Sequence, residues 1–242
     1  MQDKGIYKST KKTLNLLERI FKYAIAREYT EHNIISDFDK NTILKKRVVR
    51  HHPTITDDKS IKILLEFIDS YTGEIVTKYA LMIVPYLALR PIELRSMKWD
   101  YLNFEDNIIV IPTDKMKMRL EHLVPMTSTV KKYLEELQEH TGDKVYLFAN
   151  SVYKDRYMSE NTINVALRRM GFSKDEIVSH RFRAMFSTIA HEKSHFKYDV
   201  IETQLAHSIG NSVSQAYNRA KYLDERVKLM QWWSDYLDEV KK

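Results

Sequence analysis

The sequence predicts a mainly α-helical fold with a small antiparallel β-sheet insertion (α+β), and three observations lead there. Glycine and proline are scarce, five of each in 242 residues, against typical usage of about 7% and 5%, which leaves few tight turns. Apolar residues recur at helical spacing through most of the chain. Two short runs rich in Ile, Val and Leu, Asn107–Pro112 and Glu121–Pro125, read instead as strands of one small sheet.

Taken in order, Leu14, Leu17, Phe21, Ala24 and Ile25 predict an amphipathic helix over about residues 10–29. The basic stretch 40–56, closed by Pro53, reads as a connector, and the domain boundary is placed within it: residues 1–50 form a first helical segment and linker, residues 51–242 a second domain. Ile61, Leu64, Leu65 and Ile68 begin the next helical run. Residues 75–89 are strongly apolar and lead into Arg90-Pro91, where proline suits the first turn of a new short helix over 91–98. After the two strands, helices are expected near 128–140, 160–170, 180–193, 198–206 and 220–238, with a short strand near Val145–Phe148. Trp232, Trp233, Tyr236 and Leu237 in the last segment fit an amphipathic helix better than a base-stacking surface.

Composition narrows the function classes. With no cysteine there is no disulfide framework, thiolate metal site or cysteine nucleophile. No apolar run approaches the roughly 20 residues of a membrane span, and the first residues lack a signal-peptide core, so a soluble, cytoplasmic protein is expected. The five glycines lie too far apart for a phosphate-cradling loop, which removes the usual nucleotide cofactors. The net charge is +6, and residues 1–56 hold 12 Lys/Arg against 6 Asp/Glu, so the whole excess sits there. Its densest part, Lys45, Lys46, Arg47 and Arg50 with His51 and His52, is suited to contact a phosphate backbone.

Four local patterns carry the chemistry: Ala88-Leu-Arg90-Pro-Ile-Glu93-Leu, Met116-Lys117-Met-Arg-Leu-Glu-His-Leu-Val-Pro125, His180-Arg-Phe-Arg183, and Leu205-Ala-His207 followed ten residues later by Tyr217. In this order they resemble the tyrosine recombinases of the phage-integrase type. The strings Gln204-Leu-Ala-His207, Ala216-Tyr-Asn-Arg-Ala and Met230-Gln-Trp-Trp-Ser-Asp-Tyr-Leu further resemble the satellite-phage branch of prophage and genomic-island integrases, and the likeness spans about residues 10–240. The resemblance implies a tyrosine recombinase catalytic domain preceded by only part of a helical core-DNA-binding domain. It also implies a double-stranded DNA attachment site as partner, self-assembly on DNA, integration or excision of a mobile element, and no cofactor or metal.

The residue types suit a transesterification that conserves the phosphodiester energy in a 3′-phosphotyrosine. The resemblance makes Tyr217 the nucleophile. Its phenol has an ordinary pKa of about 10, so forming the phenolate at pH 7 costs roughly 4 kcal/mol without help. Arg90 and Arg183 can offer forked donors to the non-bridging oxygens, with His207 adding another. His180 is suited to take the phenolic proton and Lys117 to protonate the departing 5′ oxygen, although Lys115, two residues away, is a competitor for that role. Glu93, three residues after Arg90, is expected to orient a neighbouring side chain.

Competing readings have their own signals. His191-Glu192-Lys-Ser-His195 matches the His-Glu-x-x-His zinc-protease pattern, in which a helix puts both imidazoles on one face. Lys193 within it and the lack of an identified third ligand argue against metal binding. A DNA-binding remnant without recombination activity and a type IB topoisomerase share parts of the pattern. The integrase-like strings favour site-specific recombination.

Overall fold

The computed structural model describes residues 6–44, 54–116, 120–153, 155–207 and 222–242. It divides into two compact units, Met1–His51 and His52–Lys242.

In the first unit the amphipathic repeat forms α1 (Tyr7–Ala26), none of whose residues is buried. Asn33 and Ile35, beyond its end, are buried, and the Asn33 side chain accepts the Ile35 N–H at 3.0 Å. Part of the basic connector coils into a single turn, α2 (Lys40–Ile43), where the sequence predicts only a linker.

The second unit starts with α3 (Asp58–Asp69), whose Asp57 cap accepts the Ser60 N–H at 2.9 Å. Its inward face, Ile61, Leu64, Leu65 and Ile68, is the run read from the sequence. Then come α4 (Ile75–Leu87), apolar nearly all round and accordingly central, and the short α5 (Pro91–Arg95). The latter stops earlier than the predicted 91–98 because the chain must straighten at Lys98, which bridges to Tyr146.

The sheet has three antiparallel strands in the order β1 (Leu102–Asn103), β2 (Ile108–Ile111) and β3 (His122–Pro125). The two apolar runs are β2 and β3, paired Ile109 to Val124 and Ile111 to His122. Ile109, Ile111 and Val124 point into the core, and the alternation brings His122 inside with them. β1 lies where the sequence reading placed no strand, and the short strand expected near Val145–Phe148 does not form. That segment meets Met97 and Trp99 through two backbone hydrogen bonds, but a 3₁₀ turn at Trp99–Tyr101 ends the pairing after one bridge.

The remaining helices are α6 (Ser128–Thr141), α7 (Thr162–Arg169), α8 (Arg181–Lys193), α9 (Tyr198–Gln204) and α10 (Leu223–Lys241). The last is part of its own chain's core: Leu229, Met230, Trp233 and Leu237 are fully buried. Trp233 donates to the Pro85 carbonyl at 2.9 Å, a carbonyl inside α4, and its ring meets Phe186 edge to face. Asp238 ties α10 to α4 and α6 by accepting from Tyr86 and Thr129, each at 2.7 Å. No described helix is long and apolar enough to cross a membrane.

Candidate active site

Three helix ends build the site. Arg90 is the extended residue that caps α5, with Pro91 in the first turn. Glu93 reaches back to it twice: one carboxylate oxygen accepts the Arg90 backbone N–H at 2.9 Å and the other accepts Nη1 at 2.7 Å. The Glu93 side chain is only 1% exposed and the Arg90 side chain 21%, so a buried carboxylate holds a guanidinium at the surface.

The second end is the start of α8. His180 is its cap and Arg183 lies in its first turn. Arg183 is buried; its Nη1 donates to the Ala88 carbonyl at 3.0 Å and its Nη2 to the Leu205 carbonyl. The third end is the close of α9. Leu205 caps it, Ala206 takes a left-handed conformation with φ +47, and the Ala206 and His207 amides return to the Thr203 and Glu202 carbonyls, each at 3.0 Å. This is a Schellman closure with alanine where glycine is usual. Arg90 Nη2 donates to the Ala206 carbonyl at 3.2 Å. Both arginines therefore grip the residues leading into His207, each using two of a guanidinium's five donors in the hydrogen bonds named here.

Electrostatics follow from this crowding. Burial, and then the charge of Arg90, pushes Arg183 down to about 10, with Glu93 and Glu202 opposing. His180 is solvent-accessible, yet partial desolvation followed by Arg183, Arg181 and Arg90 lowers its pKa from the ordinary 6.5. The imidazole is neutral at pH 7 and able to accept a proton. The positive charge of Arg90, Arg181 and Arg183 beside solvent-accessible His180 suits an anion with several oxygens.

The sequence reading missed a buried layer behind this surface. Arg226 of α10 donates to the Gln204 side chain at 2.9 Å and to the Leu123 carbonyl. Burial lowers it to about 10. His122 of β3 is held well below its usual pKa by burial, then by Arg226, Arg183 and Arg90. It also missed Glu202, whose Oε2 meets His207 Nδ1 at 2.7 Å while Oε1 meets His191 Nε2 at 3.1 Å. A spacing of five residues before a helix-ending histidine was the available signal, because a Schellman end folds those two positions together.

Of the residues predicted from sequence, Arg90, Glu93, His180, Arg183 and His207 are thus brought to one region. Lys117, Tyr217, Lys45, Lys46, Arg47 and Arg50 lie outside the described residues. Lys115 sits in a 3₁₀ turn, Thr113–Lys115, rather than on a strand, and pairs with Asp114 at 3.0 Å. The His-Glu-x-x-His pattern does not form a two-histidine face: α8 ends at Lys193 and Ser194 is extended. His191 turns to Glu202, while His195 stacks on Phe196. The described residues contain no cluster of three His, Asp or Glu with metal-site geometry.

Residues 54–223 match the phage integrase family. The chain is 34% identical to the integrase of Enterobacteria phage P4 over 233 residues, covering 90% of this chain and 52% of that protein. It is 35% identical over 239 residues to the integrase of Shigella phage Sf6 and to the prophage integrase IntS of Escherichia coli K12, covering 98% of this chain and 61% of each. The chain thus spans between half and two thirds of the length of these relatives. Among solved structures, it is similar in fold to a lambda integrase tetramer bound to a Holliday junction, with TM-score 0.64 and 17% identity over 87% of this chain and 61% of that one. It is also similar to the Tn1549 transposon integrase in complex with circular intermediate DNA, with TM-score 0.63 and 16% identity over 94% and 80% of the two chains. Motif order, fold and sequence likeness agree, and the chain belongs to the phage integrase family.

Proposed function

We propose that this chain supplies the catalytic domain of a site-specific DNA recombinase that integrates or excises a mobile element, acting in the cytoplasm on double-stranded attachment-site DNA. The observation that carries the reading is the convergence of Arg90 and Arg183 on the backbone that presents His207. Such a surface can bind the non-bridging oxygens of one phosphate and stabilise the charge that develops at a pentavalent phosphorus. The integrase names of the relatives and the DNA in the neighbouring structures support the same substrate class.

In the proposed reaction the phenolic oxygen of Tyr217 attacks phosphorus, the bond from phosphorus to the 5′ oxygen breaks, and a 3′-phosphotyrosine forms. His180, neutral because of its surroundings, takes the phenolic proton. Lys117 gives a proton to the departing 5′ oxygen, and reversal with another 5′ hydroxyl rejoins the strand. Lys115 is the weaker candidate for this acid, since its hydrogen bond to Asp114 raises its pKa. Glu93 positions Arg90. The charge of the arginines takes the place that a divalent ion holds in metal-dependent nucleases, and His207 adds a hydrogen bond.

Residues 1–50 serve, in this reading, as the last part of a core-DNA-binding domain, with Lys45, Lys46, Arg47 and Arg50 on the phosphate backbone. The protein assembles with further copies on DNA. The buried face of α10 is already occupied by its own chain, so that assembly uses other surfaces.

The test is a nicked suicide duplex carrying the attachment site, incubated in excess chelator. A covalent adduct mapping to Tyr217 is expected, abolished in Tyr217→Phe with DNA affinity nearly unchanged. An adduct on another tyrosine, or cleavage that requires added Mg²⁺, sinks the reading.

A further inference from the structure

We propose that Glu202 is a positioning residue that keeps a proton on His207 Nδ1 and leaves Nε2 to donate to a phosphate oxygen once the ring is protonated. The proposal deepens the recombinase reading and rests on it for what Nε2 meets. Glu202 grips His207 twice. Its carbonyl accepts the His207 amide in the Schellman closure at 3.0 Å, and its carboxylate meets Nδ1 at 2.7 Å. Backbone and ring are thus both referred to one residue.

The carboxylate is itself fixed. Its side chain is 13% exposed, and its second oxygen meets His191 at 3.1 Å. The Tyr198 ring lies 5.2 Å from the His191 ring. Although burial alone raises the Glu202 pKa, its contacts with His207 and then His191 prevail and lower it, so an anionic acceptor faces Nδ1. A carboxylate acceptor at Nδ1 selects the proton on that nitrogen, as orienting carboxylates do for working histidines. Once Nδ1–H is committed to Glu202, Nε2 donates only in the imidazolium form, where both nitrogens are donors. Glu202 then also supplies the counter-charge to that cation beside Arg90 and Arg183. The ring that carries the His-Glu-x-x-His coincidence, His191, has a role here as the far support of the carboxylate.

The experiment reads the proton before it reads the rate. In the uniformly ¹⁵N-labelled chain in mildly alkaline solution, with the His207 signals assigned by their loss in His207→Gln, imidazole ¹⁵N shifts are expected to show Nδ1 protonated. Glu202→Ala is expected to move the proton mainly to Nε2, whereas Glu202→Gln, which keeps an acceptor, retains it on Nδ1. On the suicide duplex, Glu202→Ala should form adduct about 10- to 100-fold more slowly, the usual range for partners that orient a working histidine in metal sites. DNA affinity should hold, and the loss should vanish in a His207→Ala background. Protonated Nε2 in the unmodified chain overturns the proposal, as does an undiminished rate loss in the His207→Ala background. Absence of any adduct in the unmodified chain counts against the recombinase reading alone, because the ¹⁵N shifts still decide what Glu202 holds. If Glu202→Ala does not fold, the unmodified chain and Glu202→Gln supply that decision.

Discussion

Arg183 donates to the carbonyl of Ala88 at 3.0 Å, two residues ahead of Arg90, and Arg90 donates to the carbonyl of Ala206 at 3.2 Å, one residue ahead of His207. Each arginine thus holds the backbone that presents another member of the site. Both accepting residues are alanines in the left-handed region, Ala88 at φ +53 and Ala206 at φ +47. Such a conformation costs a non-glycine residue about 1–2 kcal/mol.

That strain makes Ala206 a sensitive position. Glycine relieves the steric cost but adds about 0.5–1 kcal/mol of entropy, so Ala206→Gly should leave stability within about 1 kcal/mol and preserve adduct formation. Ala206→Val, β-branched at positive φ, should destabilise by about 2 kcal/mol or more and slow the adduct at least tenfold. Urea unfolding and the suicide-duplex assay measure both. A valine variant as stable and active as the parent would show that the tight closure before His207 is dispensable.

The pH profile of cleavage should identify the base. His180 titrates below the ordinary 6.5 because of partial desolvation and then the neighbouring guanidinium charges. Its accepting form is therefore lost only as the pH falls through that lowered value. Adduct formation should decline on the acid side of neutrality, with the midpoint of that limb below 6.5. In His180→Ala the residual rate should lose that acid limb. An unchanged limb in the variant assigns the titration to another group.

Buried His122 should make stability acid-sensitive. Its folded pKa lies well below 6.5, so below about pH 6.5 the unfolded chain binds a proton that the folded chain refuses. Stability falls as the pH drops from there toward the folded value, by up to about 1.4 kcal/mol per pH unit from this group. His122→Leu should therefore show a smaller difference between urea unfolding at pH 7 and at pH 5. An equal difference in the two proteins removes His122 as the cause.

Lys117 can be separated from the arginines through the leaving group. An alkoxide needs a proton to depart, whereas a thiol, with a pKa near 8.5, leaves as thiolate in mildly basic solution. Lys117→Ala should cleave an ordinary scissile phosphate very slowly and recover most activity when sulfur replaces the bridging 5′ oxygen. Arg90→Ala and Arg183→Ala should not recover, since they bind charge on the non-bridging oxygens whichever atom leaves. Recovery by Lys115→Ala instead moves the acid to Lys115.

Local residue patterns carried the class of the fold and named residues that packing brings to one region, Arg90, Glu93, His180, Arg183 and His207. Ile61, Leu64, Leu65 and Ile68 repeat at helical spacing and are buried on α3; the two Ile- and Val-rich runs pair as β2 and β3. Local signals of this kind depend on a few neighbouring residues, and so does the motif order that places Arg90, His180, Arg183 and His207 within the family. Tertiary packing set what those signals do not encode. It added a strand at Leu102–Asn103 and left the expected strand near Val145–Phe148 with a single bridge, because a 3₁₀ turn at Trp99–Tyr101 interrupts that pairing. It turned His191 away from a metal-binding face, because α8 ends before His195. It buried Arg226 against Gln204 and the Leu123 carbonyl, and joined Arg183 to Ala88 across 95 positions of sequence. The physical reason is common to all of these: helical and strand periodicities are short-range properties, whereas a hydrogen bond between distant residues exists only once packing has brought the two helix ends together.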